Sequence, residues 1–211
     1  MADPDAASLT AEPPTRLSFR RPDLRSGGGA KKLNAAERGT ATHRFLQYVD
    51  FAKAGSAAGL AAEADRLAAA GRLTSEERAA LDLPGVERLF ASPLGRRMRA
   101  AEKLRREFRF LLLCKASEYV QGAAPEDEIL LQGVVDCCFA EDGGITVVDY
   151  KTDRIDAAEA PARAERYRGQ LLAYAGALER IFDLPVRRCV LWFLHPGAEY
   201  EIALENQAKT P

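Results

Sequence analysis

No run of apolar residues approaches membrane-spanning length, and the segments 110–114 and 189–194 are strand-sized. The opening residues, Met1-Ala2-Asp3-Pro4-Asp5, are small and acidic and lack the apolar stretch of a secretory signal, so a cytoplasmic location with no membrane association is expected. None of the four cysteines, Cys114, Cys137, Cys138 and Cys189, forms a Cys-x-x-Cys pair. That spacing argues against a zinc ribbon or thiol redox motif and leaves no clustered set for an iron–sulfur centre. Buried reduced thiols are expected instead, with adjacent Cys137 and Cys138 on opposite faces of a strand. Charge of one sign is also missing: 30 Lys and Arg against 31 Asp and Glu give a net charge of -1. No overall basic field is present, so any nucleic-acid surface must be local. The phosphate-loop pattern G-x-x-x-x-G-K-[S/T] does not occur, since Gly27-Gly28-Gly29-Ala30-Lys31 lacks its spacing.

What is present is enough apolar residue, 47% of 211 positions, to bury one substantial core. Residues 1–33 mix Pro, Ser, Gly and charge, with Pro13-Pro14, Pro22 and Ser26-Gly27-Gly28-Gly29, and read as a flexible linker or tether. Residues 34–205 form the expected domain, and 206–211 a tail. Asn34 followed by Glu37 signals a capping box opening a helix over about 35–53. Residues 57–105 are rich in Ala, Leu, Glu and Arg and are broken at Gly71, Thr74-Ser75, Pro84 and Pro93, which predicts several short helices. Strands are expected over 107–114, 129–139, 145–151, 188–195 and 200–204, with Glu141-Asp142-Gly143-Gly144 as a hairpin turn. A helix over about 160–182 carries Tyr167, Leu171, Tyr174, Leu178 and Ile181 on one face. The whole is α/β, a mixed sheet with a crossover helix behind a helical N-terminal half. Trp192, between Leu191 and Phe193, reads as core, and His195, before Pro196-Gly197, as a turn residue.

Chemistry concentrates in the third strand. Asp149 and Lys151 are two apart, so strand alternation aims both at one face. The preceding strand segment, Gln132-Gly133-Val134-Val135-Asp136, ends in a second carboxylate that the hairpin can bring alongside. Converging carboxylates repel unless a cation or proton lies between them, and a hard divalent ion is the natural resident. Such an ion polarises a phosphodiester oxygen while a lysine orients or deprotonates the attacking water. Asp-x-Lys alone is equally an ordinary pair of solvated strand-end charges.

The pieces Gly39-Thr40-Ala41-Thr42-His43, Gly133-Val134-Val135-Asp136, Asp149-Tyr150-Lys151-Thr152-Asp153 and Gln170-Leu171-Leu172-Ala173-Tyr174 occur in that order. Together they resemble the C-terminal nuclease domain of AddA-type and RecB-type helicase-nucleases, in the PD-(D/E)XK superfamily, with the AddA form nearer. The resemblance spans about residues 34–205. It implies a restriction-endonuclease-like mixed central sheet with flanking helices and a metal-dependent deoxyribonuclease that trims single strands during double-strand break repair and recombination. It further implies that His43, Asp136, Asp149 and the Tyr150 carbonyl ligate the metal, that Lys151 is the catalytic lysine, and that Gln170 and Tyr174 lie near the scissile strand. Glu107 matches an acidic position of the family, although Arg109 stands where the family has proline. Tyr174 also fits the apolar stripe of its helix, as core.

Magnesium is the implied cofactor, and a histidine ligand leaves room for manganese. Phosphate contacts are expected from Arg96, Arg97 and Arg99, in a cation-rich stretch reaching Lys103, Arg105 and Arg106, and from Thr152 and Arg154. A solvated charged face is the other reading of that stretch. The implied partners are DNA, chiefly single-stranded ends, a helicase motor domain and an AddB-like subunit. Two other readings compete: a stand-alone exonuclease, and a catalytically idle scaffold that binds DNA or a helicase.

Overall fold

The structure, a computed structural model, describes residues 33–204. The expected tether, apart from Leu33, and the tail lie outside those residues. Among the described residues no helix is long and apolar enough to cross a membrane.

Five helices come first: α1 (Ala35–Tyr48), α2 (Ala57–Ala69), α3 (Ser75–Ala80), α4 (Leu83–Ala91) and α5 (Pro93–Ala100). Each begins on a side-chain cap. Asn34 and Glu37 form the reciprocal box at α1, and Thr74 and Glu77 repeat it at α3. Ser56, Asp82 and Ser92 cap the other three. Each cap satisfies backbone donors that a helix start leaves open, worth about 1 kcal/mol. α1 stops at Tyr48, short of the expected 53, because Val49 is already extended.

The sheet follows as β1 (Leu104–Lys115), β2 (Glu128–Glu141), β3 (Gly144–Lys151), β4 (Val186–Phe193) and β5 (Ala198–Ile202), side by side in that order. All neighbours are antiparallel except β3 and β4, which are parallel and joined by α6 (Ala160–Glu165) and α7 (Arg168–Phe182). The expected single helix over 160–182 is thus two, because the chain turns at Arg166-Tyr167. The β2–β3 turn places Asp142 at φ 47° and Gly143 at φ 70°, the left-handed pair that a two-residue hairpin loop requires.

The sheet separates two apolar layers. Phe45, Leu60, Leu89, Phe90 and Met98 of the N-terminal helices pack on Cys137, Phe139, Val148, Tyr150, Val190 and Trp192. On the opposite face, Leu171, Ala175 and Leu178 of α7 pack on Cys138, Val147, Cys189, Leu191 and Phe193. Cys137 and Cys138 therefore face opposite layers, and all four cysteines are buried free thiols. Trp192 is core and His195 lies in the turn between β4 and β5.

β1 and β2 continue together past the last rung that β2 shares with β3, Cys137 with Val148, and form a two-stranded arm. At its base the faces of the hairpin change places. Arg106 lies over Phe51 on the N-terminal-helix side, whereas Phe108 packs with Phe182 on the α7 side. Val135 and Cys137 divide between the two cores in the same way. Ordinary alternation would keep residues two apart on one face. Glu107, held at φ 50°, breaks that alternation on β1.

Candidate active site

The fork where β2 leaves β3 is also where the predicted residues gather. Asp136 was expected at a strand end, but β2 runs on to Glu141 and Asp136 lies within it, at the parting of the two strands. Its Oδ2 accepts the backbone N–H of Tyr150 at 2.8 Å, so a side chain bonds β3 where the ladder has ended. Oδ1 lies 3.0 Å from His43 Nδ1. His43 projects from the middle of α1, and Gly39 one turn earlier allows α1 to approach the end of β3: a Cβ there would lie 3.0 Å from Thr152 Oγ1.

Glu107 completes this group, with Oε1 4.0 Å from His43 Nδ1. One donor atom each from His43, Glu107 and Asp136 falls within 4.8 Å of the others, a spacing that one ion can bridge. A nitrogen and two carboxylate oxygens suit a divalent cation of the magnesium–manganese class.

Asp149 and Lys151 share a face as alternation requires. Lys151 Nζ lies 2.6 Å from Asp149 Oδ2, an ion pair whose angles are not those of a directed hydrogen bond. Both are covered, Asp149 being 3% exposed. Burial, and next the charge of Asp136, raise the Asp149 carboxyl to about 6, against the opposing pull of Lys151 and His43. Burial pushes the His43 imidazole down, but the bond to Asp136 and the charges of Asp136, Asp149 and Glu107 outweigh it, leaving a net upward shift. Glu107 is raised by burial and by Asp136, with His43 and Arg109 opposing. Carboxyls raised by enclosure and by one another mark a site where a bound cation would relieve repulsion.

From α7, Gln170 Nε2 donates to Tyr174 Oη at 2.7 Å. Tyr174 meets Phe110 edge-on and lies over Gly133, so it is packing for the arm as well as a wall of the fork. Of the residues expected to meet phosphate, Arg96, Arg99 and Arg154 are exposed, whereas Arg97 is held in a bidentate pair with Glu141 at 2.8 and 3.0 Å. Arg106, in the same cationic stretch, donates to the carbonyls of Leu46 and Val49 and serves the fold.

The predicted metal set and the observed grouping differ in membership. His43 and Asp136 stand together with Glu107, whereas Asp149 is engaged by Lys151. The group that Tyr150 presents to Asp136 is its N–H. Sequence reasoning also passed over Tyr167 as one more apolar stripe residue, yet Lys151 Nζ sits 3.8 Å from the centroid of its ring. Its signal is faint: a tyrosine three residues before Gln170, on the helix that crosses back over the sheet.

Residues 16–210 match the family model described as the PD-(D/E)XK nuclease superfamily. Among curated proteins, the chain is 39% identical over 175 residues to the AddA-type ATP-dependent helicase/nuclease of Heliobacterium modesticaldum, covering 80% of this chain and 12% of that protein. The protein of the same name from Desulforudis audaxviator is 37% identical over 197 residues, covering 92% and 16%. That from Moorella thermoacetica is 38% identical over 175 residues, covering 81% and 12%. The chain thus spans only 12% to 16% of the length of these relatives.

Proposed function

The chain belongs to the PD-(D/E)XK nuclease superfamily, and on that premise we propose that it hydrolyses DNA phosphodiesters with a divalent metal, exonucleolytically and on single strands. The observation that carries this reading is the juxtaposition at one fork of the His43, Glu107 and Asp136 donors with the Asp149–Lys151 pair. His43 and Asp136 hold the ion with Asp149 and the Tyr150 carbonyl, and Glu107 supports it or its water. Magnesium serves, and manganese is tolerated. When bound, the ion supplies charge for the developing phosphorane oxygens and acidifies a water.

The other steps belong to the protein. Lys151, kept charged beside Asp149, orients the attacking water and offsets negative charge as the phosphate becomes more crowded with oxygen. Gln170 and Tyr174 steady the strand being cut from the α7 side. Arg96, Arg97, Arg99, Thr152 and Arg154 provide phosphate contacts. The names of the relatives join helicase and nuclease. We place this chain accordingly, as the cutting part of a cytoplasmic helicase-nuclease acting in double-strand break repair and recombination beside a motor domain and an AddB-like subunit.

The test is cleavage of DNA labelled at either end, single- and double-stranded, with magnesium, with manganese and with chelator. Wild-type chain should degrade single strands progressively from an end only with metal. Asp149→Ala and Lys151→Ala should each lose at least about a hundredfold in rate, the scale of losing one transition-state contact, while melting cooperatively. Undiminished cutting by either variant overturns the assignment.

A further inference from the structure

Lys151 closes β3, so no later strand residue braces its side chain. Its ammonium is nonetheless largely enclosed, 14% exposed at the side chain, and has two neighbours among the described contacts: Asp149 Oδ2 at 2.6 Å and the Tyr167 ring at 3.8 Å from its centroid. These differ in kind. Asp149 is a carboxylate that a bound cation would draw on, so its grip on Lys151 is shared. A ring face binds an ammonium through its quadrupole and does not compete for metal.

Tyr167 is itself fixed from several sides. It sits in the turn between α6 and α7, where its N–H donates to Ala164 O at 2.9 Å and its carbonyl accepts from Leu171 N at 3.1 Å. The hydroxyl donates to Asp153 Oδ2 at 3.2 Å, and Arg163 Nε lies 3.7 Å from Asp153 Oδ1. The ring is therefore anchored at its backbone and at its hydroxyl, and it spans Lys151-Thr152-Asp153 from one end to the other. A single helix over 160–182 would have no turn at this point. The break at Arg166-Tyr167 sets the ring against the end of β3.

Resting on the nuclease reading above, we infer that Tyr167 is the positioning residue for Lys151: its ring face holds the ammonium in place while Asp149 is engaged elsewhere. The ring, not the hydroxyl, does the holding, because the backbone turn keeps the ring in place when the bond to Asp153 is lost.

The experiment compares Tyr167→Phe, Tyr167→Trp and Tyr167→Leu in steady-state cleavage of end-labelled single-stranded DNA with manganese, alongside thermal melting. Tyr167→Leu should lower kcat by about three- to thirtyfold, the range of a covered cation–π contact, with KM changed less than about twofold, as for an interaction made in the transition state. Tyr167→Phe and Tyr167→Trp keep a ring face and should stay within about threefold of wild-type kcat, the lower edge of that range. Equal losses in Phe and Leu would assign the effect to the hydroxyl and overturn the inference, as would wild-type kcat in Leu. A second readout is independent of cutting: melting shifts of Lys151→Met and Tyr167→Leu should be non-additive in the double variant. Additive shifts overturn the contact. If Tyr167→Leu fails to fold, loss of kcat in both ring-retaining variants does so. A wild-type chain that cuts nothing sinks the nuclease reading instead, while the melting cycle still decides the contact.

Discussion

Glu107 stands across the hairpin from Asp136, between the rungs Arg106–Cys137 and Phe108–Val135, in a left-handed conformation at φ 50°. That rung is where the hairpin's faces change places, and it is the rung that His43 reaches. A left-handed backbone is unfavourable for glutamate by about 1–2 kcal/mol, so the strand carries strain at the residue whose carboxylate enters the donor group.

Glu107→Asn separates the strain from the charge, because asparagine tolerates the left-handed region and is neutral. Stability should be unchanged or rise by up to about 1 kcal/mol, while affinity for manganese falls. Chemical unfolding with and without manganese measures both. An unaltered metal response would remove Glu107 from the site.

Metal should stabilise the chain by mass action. At a hundred times the dissociation constant the gain is about 2.7 kcal/mol, which for a domain of this size is a rise of about 5–10 °C in Tm. Chelator should abolish the rise, and His43→Ala or Asp136→Ala should shrink it. A melting curve of the wild-type chain indifferent to manganese and magnesium would falsify the donor set.

Gly133 is needed for close approach. A Cβ there would lie 2.7 Å from Phe110 Cζ and 2.8 Å from Tyr174 Cε1, atoms of rings already packed edge to face. Gly133→Ala should cost about 1–3 kcal/mol by overpacking and slow cleavage through displacement of Tyr174. Adding Phe110→Leu should recover part of the stability. Full stability of the single variant by urea unfolding would refute this packing account.

Acid stability should depend on Glu63, 3% exposed, whose carboxylate takes Arg66 Nε and Nη2 at 2.9 and 2.6 Å and the Asp50 N–H at 2.8 Å. The bonds from Arg66, opposed by burial and aided by Asp50, hold it down to about 2, from an ordinary 4.5. A depressed carboxyl contributes stability above its unfolded value and loses it as pH falls through the folded one, so the window is about pH 4.5 down to 2. Because Arg66 is half exposed, about 2 kcal/mol is the expected size. Glu63→Gln should be less stable by that amount at pH 7 and show a flatter acid limb in unfolding from pH 5 to 2. Parallel limbs would count against it.

Local rules carried much of this protein. Capping chemistry at Asn34, the Asp142-Gly143 turn, the five strands and the shared face of Asp149 and Lys151 follow from interactions spanning a few residues, which the order of side chains alone specifies. Termini were less legible: α1 ends five residues before the expected limit, and the apolar stripe of 160–182 runs unbroken through the turn that splits it. What only the folded chain decided is who meets whom at the fork. Glu107 joins His43 and Asp136 because β1 and β2 pair in a register that a left-handed residue then twists, and Tyr167 reaches Lys151 because α7 crosses back over the sheet. Both contacts join residues far apart in sequence, and their geometry is set by how two apolar layers close on one sheet, which no spacing in the chain records.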